Sequence, residues 1–147
     1  MNIRKAVPGD HETLARIWLE SWYSTGLKSL FDPGLEMLRT RIPADIAKGR
    51  DFSAAEEADG IVAMLALDPR DFYLDQLWVA PAHQGRGLGR ALLGFTRQQF
   101  PEEIFLRCVV ENTAAWAWYE REGFRFEGEE IVPPSNMRMR RYRWKRG

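Results

Sequence analysis

Asp71-Phe-Tyr-Leu-Asp-Gln-Leu-Trp-Val-Ala-Pro-Ala-His-Gln-Gly-Arg-Gly-Leu-Gly-Arg-Ala-Leu-Leu-Gly-Phe95 changes its periodicity partway along. Phe72 to Val79 is rich in aromatic and branched residues and reads as a strand, whereas Ala91, Leu92 and Phe95 recur at helical spacing after Arg90. A loop containing Gly85, Gly87 and Gly89 joins them. Without Cβ atoms such a backbone can approach a ligand closely, and the following helix turns its unpaired N–H groups and positive dipole end back into the loop. This is a site for a phosphate or pyrophosphate.

The loop excludes two common phosphate binders. G-x-G-x-x-G fails, because counting from Gly85 the sixth position is Arg90 and counting from Gly87 it is Leu92. The P-loop pattern fails because no Gly-Lys pair occurs anywhere in the chain.

Outside this stretch, composition sets bounds. The 147 residues suit one domain with one sizeable core, and 45% hydrophobic with 29% charged residues describe an ordinary soluble protein. No run approaches the ~18 apolar residues of a membrane helix, and Met1-Asn2-Ile3-Arg4-Lys5-Ala6 turns polar too soon for a signal peptide, so a cytoplasmic location is expected. One cysteine, Cys108, and two histidines leave neither a disulfide framework nor a metal cluster to build; Cys108, inside an apolar run, reads as a core residue. Net charge is zero but unevenly spread. Residues 136–147 hold six of the 21 basic residues and none of the 21 acidic ones. Because Met137, Met139, Tyr142 and Trp144 interleave with those arginines, the segment reads as a final strand with one solvated face rather than a nucleic-acid arm.

The remaining elements follow in order. Asn2 to Val7 is a plausible first strand, Pro8-Gly9-Asp10 a turn with Asp10 a candidate helix cap, and Leu14, Ile17, Trp18 and Ser21 one face of a helix ending near Ser24-Thr25-Gly26. Trp18, Trp22 and Tyr23 cluster near its end, either as core or as one wall of an acceptor pocket. Leu35, Leu38, Ile42 and Ile46 suggest a second helix entered at Pro33 and disturbed at Pro43. Phe52–Glu57 and Ile61–Leu67 read as a hairpin across Ala58-Asp59-Gly60, with a turn at Asp68–Asp71 leading into the central strand. Ile104 to Val110 reads as an inner strand, and Asn112 to Gly123 as a helix capped at one end and stopped at the other.

Two constellations combine into a resemblance. Gln84-Gly85-Arg86-Gly87-Leu88-Gly89 resembles the Q/R-x-x-G-x-G/A signature of the GNAT acetyltransferase superfamily, and Asn112, Ala115, Tyr119, Gly123 and Phe124 resemble its N-x-x-A-x-x-x-Y-x-x-x-G-F pattern, about 28 residues later. The match covers roughly Ile61 to Phe126 closely and the N-terminal part only in outline. It implies an α+β, three-layer fold with a mixed, mostly antiparallel sheet of about six to seven strands and about four helices, splayed between the fourth and fifth strands. It also implies an acetyl-CoA-dependent N-acetyltransferase, a monomer or homodimer acting on an amine, with no metal and no membrane partner.

The resemblance distributes roles as well. The backbone of Leu77, Trp78 and Val79 would pair with the pantetheine arm, the N–H near Val79 would polarise the thioester carbonyl, and amides from Gly85 to Arg90 would hold the pyrophosphate, helped by Arg86 and Arg90. Asn112 would meet the pantetheine arm, Ala115 would leave room for it, and Tyr119 would protonate the departing thiolate, its alternative being an aromatic of the core. Strand alternation groups Tyr73, Asp75, Leu77 and Val79 on one face, which makes Asp75 the candidate base or a binder of the substrate's cation. Glu111 is the second candidate, and His83 reads as a surface or capping residue. Acidic groups at Glu56-Glu57-Asp59 and Glu127-Glu129-Glu130 would attract a cationic amine or simply be solvated. The other reading of the chain is a non-catalytic acyl-CoA-binding module.

Overall fold

Apolar residues at strand and helix spacing sort the chain into eleven elements in a computed structural model that describes residues 1–147. They are β1 (Asn2–Lys5), α1 (His11–Ser24), α2 (Gly34–Ala47), β2 (Asp51–Glu57), β3 (Gly60–Asp68), β4 (Tyr73–Val79), α3 (Leu88–Gln99), β5 (Glu103–Val109), α4 (Thr113–Arg121), β6 (Arg125–Val132) and β7 (Met137–Lys145). The seven strands form one sheet in the order β1-β2-β3-β4-β5-β7-β6. Every neighbouring pair is antiparallel except β4 and β5, which run parallel.

The sheet carries a helix pair on each face. Leu92, Leu93 and Phe100 at α3, with Tyr119 of α4, pack on Leu65, Leu67, Leu74, Ile104 and Leu106. On the other face Leu14, Ile17 and Trp18 of α1 and Leu38 and Ile42 of α2 pack on Phe52, Ala54, Met64 and Ala66. Burial on both faces explains why Ile61–Leu67 reads as an unbroken apolar run rather than an alternating one. The hairpin lies where the Asp-Gly pair puts it, with Glu57 opposite Gly60 and Gly60 at φ 119°.

Several expectations change. β1 stops at Lys5 instead of Val7, and Asp10 does not cap α1: its carboxylate accepts the Val7 N–H at 2.8 Å and is gripped by Arg4 at 2.7 Å. α2 runs unbroken through Pro43, which lies on the exposed side, where water can take the carbonyl that the missing N–H leaves free. α3 starts at Leu88, ahead of Arg90, because the left-handed Gly87 already ends the loop. The basic C-terminal strand is an inner strand between β5 and β6, and its arginines meet acids of both neighbours, among them Arg143 with Glu127 at 3.3 Å and Arg138 with Glu129 at 3.6 Å. Glu127, Glu129 and Glu130 are therefore ion-paired within the sheet instead of forming a free acidic patch.

A further correction concerns β4. Leu67 faces Leu74 but Ala66 faces Gln76, so Asp75 is an extra, bulged residue. The bulge resets the alternation. Leu74, Leu77 and Val79 turn to the α3/α4 face, whereas Asp75 turns toward α2, where Arg50 Nε donates to it at 3.1 Å and Arg41 stands 4.0 Å away. Asp75 thus does not share a face with Leu77 and Val79.

Candidate active site

β4 and β5 pair only at Tyr73–Phe105 and Leu74–Leu106 and then part. Beyond that point two strand edges face each other without ladder bonds, and buried backbone polar groups need a partner. The opening meets the N-terminus of α3 and the inner face of α4 in a cleft of about 870 Å³. It is lined by Leu77, Trp78 and Val79 of β4, by Gln84, Gly85, Gly87, Leu88, Gly89 and Arg90, and by Asn112 and Ala115. Eleven of the residues singled out from the sequence therefore share one cavity.

The loop owes its shape to two left-handed glycines, Gly85 at φ 78° and Gly87 at φ 82°. Gln84 fastens the loop to the strand, its amide donating to the Val79 carbonyl at 3.0 Å, and the Ser21 hydroxyl of α1 donates to the same carbonyl at 2.9 Å. The first N–H groups of α3 have no partner within the helix. Arg86 and Arg90 are less committed to the cleft than expected: Arg86 points away to Glu57 at 3.1 Å and does not line it, and Arg90 pairs with Glu122 at 3.2 Å. Both arginines are more than half exposed, and such pairs are worth at most about 1 kcal/mol.

On α4, Asn112 occupies the cap position, but its amide makes no hydrogen bond to the helix and is left to the cleft. Ala114 and Ala115 present almost no bulk there. Tyr119 does not line the cavity. It is 7% exposed, set edge-on to Trp118 and Phe124 at 4.8 and 5.4 Å between centroids, with its phenol toward Cys108 and Tyr73. Burial above all, with Cys108 and Tyr73 nearby, pushes its pKa well above the ordinary phenol value, so it stays protonated at neutral pH. Cys108 is buried too, and its thiol is pushed up to about 12, which removes it as a nucleophile.

Asp75 also lies outside the cleft. Burial raises its pKa, against the opposing pull of Arg41 and Arg50. Arg50 in turn reaches Asp68 at 3.8 Å, Asp68 is held by Arg70 at 2.8 Å, and Arg41 is held by Asp45 at 3.1 Å, so Asp75 belongs to a network of arginines and carboxylates on the α2 side. Glu111 is exposed just past the end of β5 and does not line the cleft. A second cavity of about 430 Å³ at the closed end of the splay is lined by Tyr73, Phe105, Arg107 and Arg141 among others. There the Arg107 guanidinium lies 5.2 Å from the Tyr73 ring centre and bonds Glu130.

The cleft also includes residues that sequence reasoning did not name for it: Ser21 and Ser24 of α1 with Thr25 just after it, His83, Ala114, Trp118, Arg121 and Glu122. His83 is not a simple surface residue, since its Nδ1 is enclosed and has no hydrogen-bond partner. Trp118 and Arg121 lie three and six residues after Ala115, so helical spacing from Ala115 could have found them. Ser21, Ser24 and Thr25, at the end of the helix that the sequence offered as a possible pocket wall, reach the cleft by docking against the end of β4. No three His, Cys, Asp or Glu residues are grouped to hold a metal ion, and no helix is long and apolar enough to cross a membrane.

Comparison with known proteins agrees with this fold. The family model for GNAT-family acetyltransferases matches residues 12–124. Among solved structures, a GNAT-family protein from Desulfovibrio desulfuricans superposes with a TM-score of 0.75 at 22% identity, covering 98% of each chain. The PaiA N-acetyltransferase of Thermoplasma acidophilum, solved with coenzyme A, gives 0.70 at 20% identity over 99% of this chain and 98% of that one. Spermidine N-acetyltransferase SpeG of Vibrio cholerae gives 0.69 at 19% identity over 99% and 95%. No curated protein sequence matches the chain. At these identities the structures speak for the fold, while the family match extends from α1 through the glycine loop to the end of α4. The chain belongs to the GNAT acetyltransferase family.

Proposed function

We propose that the protein transfers the acetyl group of acetyl-CoA to a primary amine by direct attack within a ternary complex. The observation that carries this reading is the unpaired β4–β5 edge opening onto the glycine loop and the N-terminus of α3. An extended pantetheine arm satisfies the free edge of β4 as an added strand would, and the loop amides take the pyrophosphate. The unbonded Asn112 amide and the small Ala114 and Ala115 suit the arm between them.

In the reaction the amine lone pair attacks the thioester carbon, which an N–H near Val79 polarises. The new C–N bond forms as the C–S bond breaks. The thiolate takes its proton from the Tyr119 phenol behind the cleft wall, and the amine's proton leaves through water to Asp75 on the α2 side of the β4 bulge. Arg50 and Arg41 hold that carboxylate in place, and burial raises its proton affinity.

The test is thiol release from acetyl-CoA with the purified protein and two acceptor pools, one of small amines including polyamines and aminoglycosides, the other of peptides with free N-termini and lysines. Release above the acceptor-free background in either pool is the expected result and assigns the acceptor class. Silence in both, with coenzyme binding intact, would favour a binding module that does not turn over.

A further inference from the structure

The α1/α2 face of the sheet changes character where it crosses from β4 to β5. Its helices pack on β2, β3 and Trp78 of β4, and no residue of β5 or β7 joins that core. Ile104, Leu106 and Cys108 point to the α3/α4 side, so by alternation Phe105 and Arg107 point to this one. Arg141 stands directly opposite Arg107 across the β5–β7 ladder, and both line the cavity of about 430 Å³ at the closed end of the splay. Like charges set opposite each other on one face repel. Arg107 bonds Glu130 through its Nε, so its terminal nitrogens remain for another partner. Arg141 makes no hydrogen bond. Glu127 and Glu130 lie 3.8 and 4.0 Å from it, and each has a nearer arginine, Arg143 at 3.3 Å for Glu127 and Arg107 for Glu130. Two facing guanidinium groups with unspent donors beside a cavity suit a carboxylate, which their planar forks can grip through paired N–H groups.

The place of this pair relates it to the reaction. Leu74 and Leu106 are the last paired positions of β4 and β5, so Asp75 and Arg107 are the next residues on either side of the opening, and both turn to the α1/α2 face. Tyr73 adjoins both: burial and then the Asp75 charge raise its pKa, and the Arg107 guanidinium lies 5.2 Å from its ring centre. The acids that line the cavity, Asp71 and Glu103, precede Tyr73 and Phe105 and so lie away from the opening. We propose that Arg107 and Arg141 bind a carboxylate of the acceptor, which makes the acceptor an amino acid rather than a polyamine or aminoglycoside, whose further cations the two arginines repel. The inference rests on the reading of the chain as an amine acetyltransferase.

Steady-state thiol release with acceptors that differ by one carboxylate tests it: leucine against isopentylamine, lysine against cadaverine, and ε-aminocaproate against pentylamine, on the native protein, Arg141→Gln and Arg141→Lys. One charge-assisted contact corresponds to a preference of roughly tenfold or more in kcat/KM for the carboxylate-bearing member of a pair. Arg141→Gln should remove most of that preference by raising the KM of that member far more than the KM of the plain amine, and Arg141→Lys should keep part of it. Equal or reversed native preference, or a Gln variant that slows both members alike, would overturn the inference. Release with polyamines, aminoglycosides or peptides alone would overturn it too, while leaving the transferase reading in place. No release with any amine, coenzyme A binding being intact, would instead overturn the transferase reading, and this inference with it.

Discussion

The two faces of the sheet handle polar groups in opposite ways. On the α1/α2 side charges are buried and answered: Asp10 by Arg4 and the Val7 N–H, Asp45 by Arg41, Asp68 by Arg70, Asp75 by Arg50. On the α3/α4 side Thr96 is the buried polar residue, bonded to the Leu92 carbonyl, and the rest of the core is apolar apart from the Cys108, Tyr119 and Tyr142 tips. Yet polar groups with nothing to bond collect around the cleft that opens on this side: the amides at the start of α3, the Asn112 side chain, His83 Nδ1 and Arg121. A fold that satisfies its buried charges on one face and leaves such a cluster open at the other marks where a ligand completes it.

The sharpest way to break this contrast is Tyr119→Phe. It removes one oxygen from a core position and keeps the packing. If the phenol is the acid, turnover falls by about 10²–10⁴-fold with coenzyme binding nearly unchanged, measured by thiol release alongside calorimetry. Undiminished turnover would return Tyr119 to the core. Next in size is Gly87→Val. A Cβ there meets nothing within 4 Å, so the cost comes from φ 82° alone, on the order of 1–3 kcal/mol for a β-branched residue. Thermal melting and coenzyme affinity should both drop. Gly89→Ala, in ordinary helical backbone with Trp118 at normal contact distance, should change stability little.

Two smaller effects probe the ionic face. Arg50 lowers the Asp75 pKa against the burial that raises it. If Asp75 is the base, activity is lost as pH falls through its pKa, and Arg50→Gln should move that acid limb to higher pH; an unmoved limb excludes Asp75. Asp10 is pulled from 3.8 down to about 2, first by Arg4 and then by the Val7 N–H. A depressed carboxyl stabilises the fold above its ordinary pKa and ceases to do so as pH falls toward its folded value. Asp10→Asn should therefore cost about 1 kcal/mol at neutral pH, with the deficit shrinking between pH 4 and pH 2 in guanidinium unfolding series.

Much of the cleft was legible because its cues are local. The left-handed glycines, the switch from strand to helical spacing at Gly85–Leu88 and the Asn112–Phe124 spacing each reside within a few turns of chain. The α1/α2 side was less legible because its cues are not. Asp75 was assigned to the wrong face because a bulge exists only relative to the partner strand. Asp10 looked like a helix cap because nothing local says that Arg4 will reach it. The acids of β6 looked free until β7 was inserted between β6 and β5.

The sequence by itself determined the elements other than β6, the phosphate-type loop and the α4 motif, because backbone dihedral preferences and side-chain periodicity act over neighbouring residues. Only the tertiary structure decided that β4 and β5 separate after two paired positions, that Asp75 is clamped by Arg50, that Arg86 turns away to Glu57 and that Arg121 is left without a partner. Each of these depends on strand register or on charges brought together from distant parts of the chain, and such pairings exist only once the sheet has assembled.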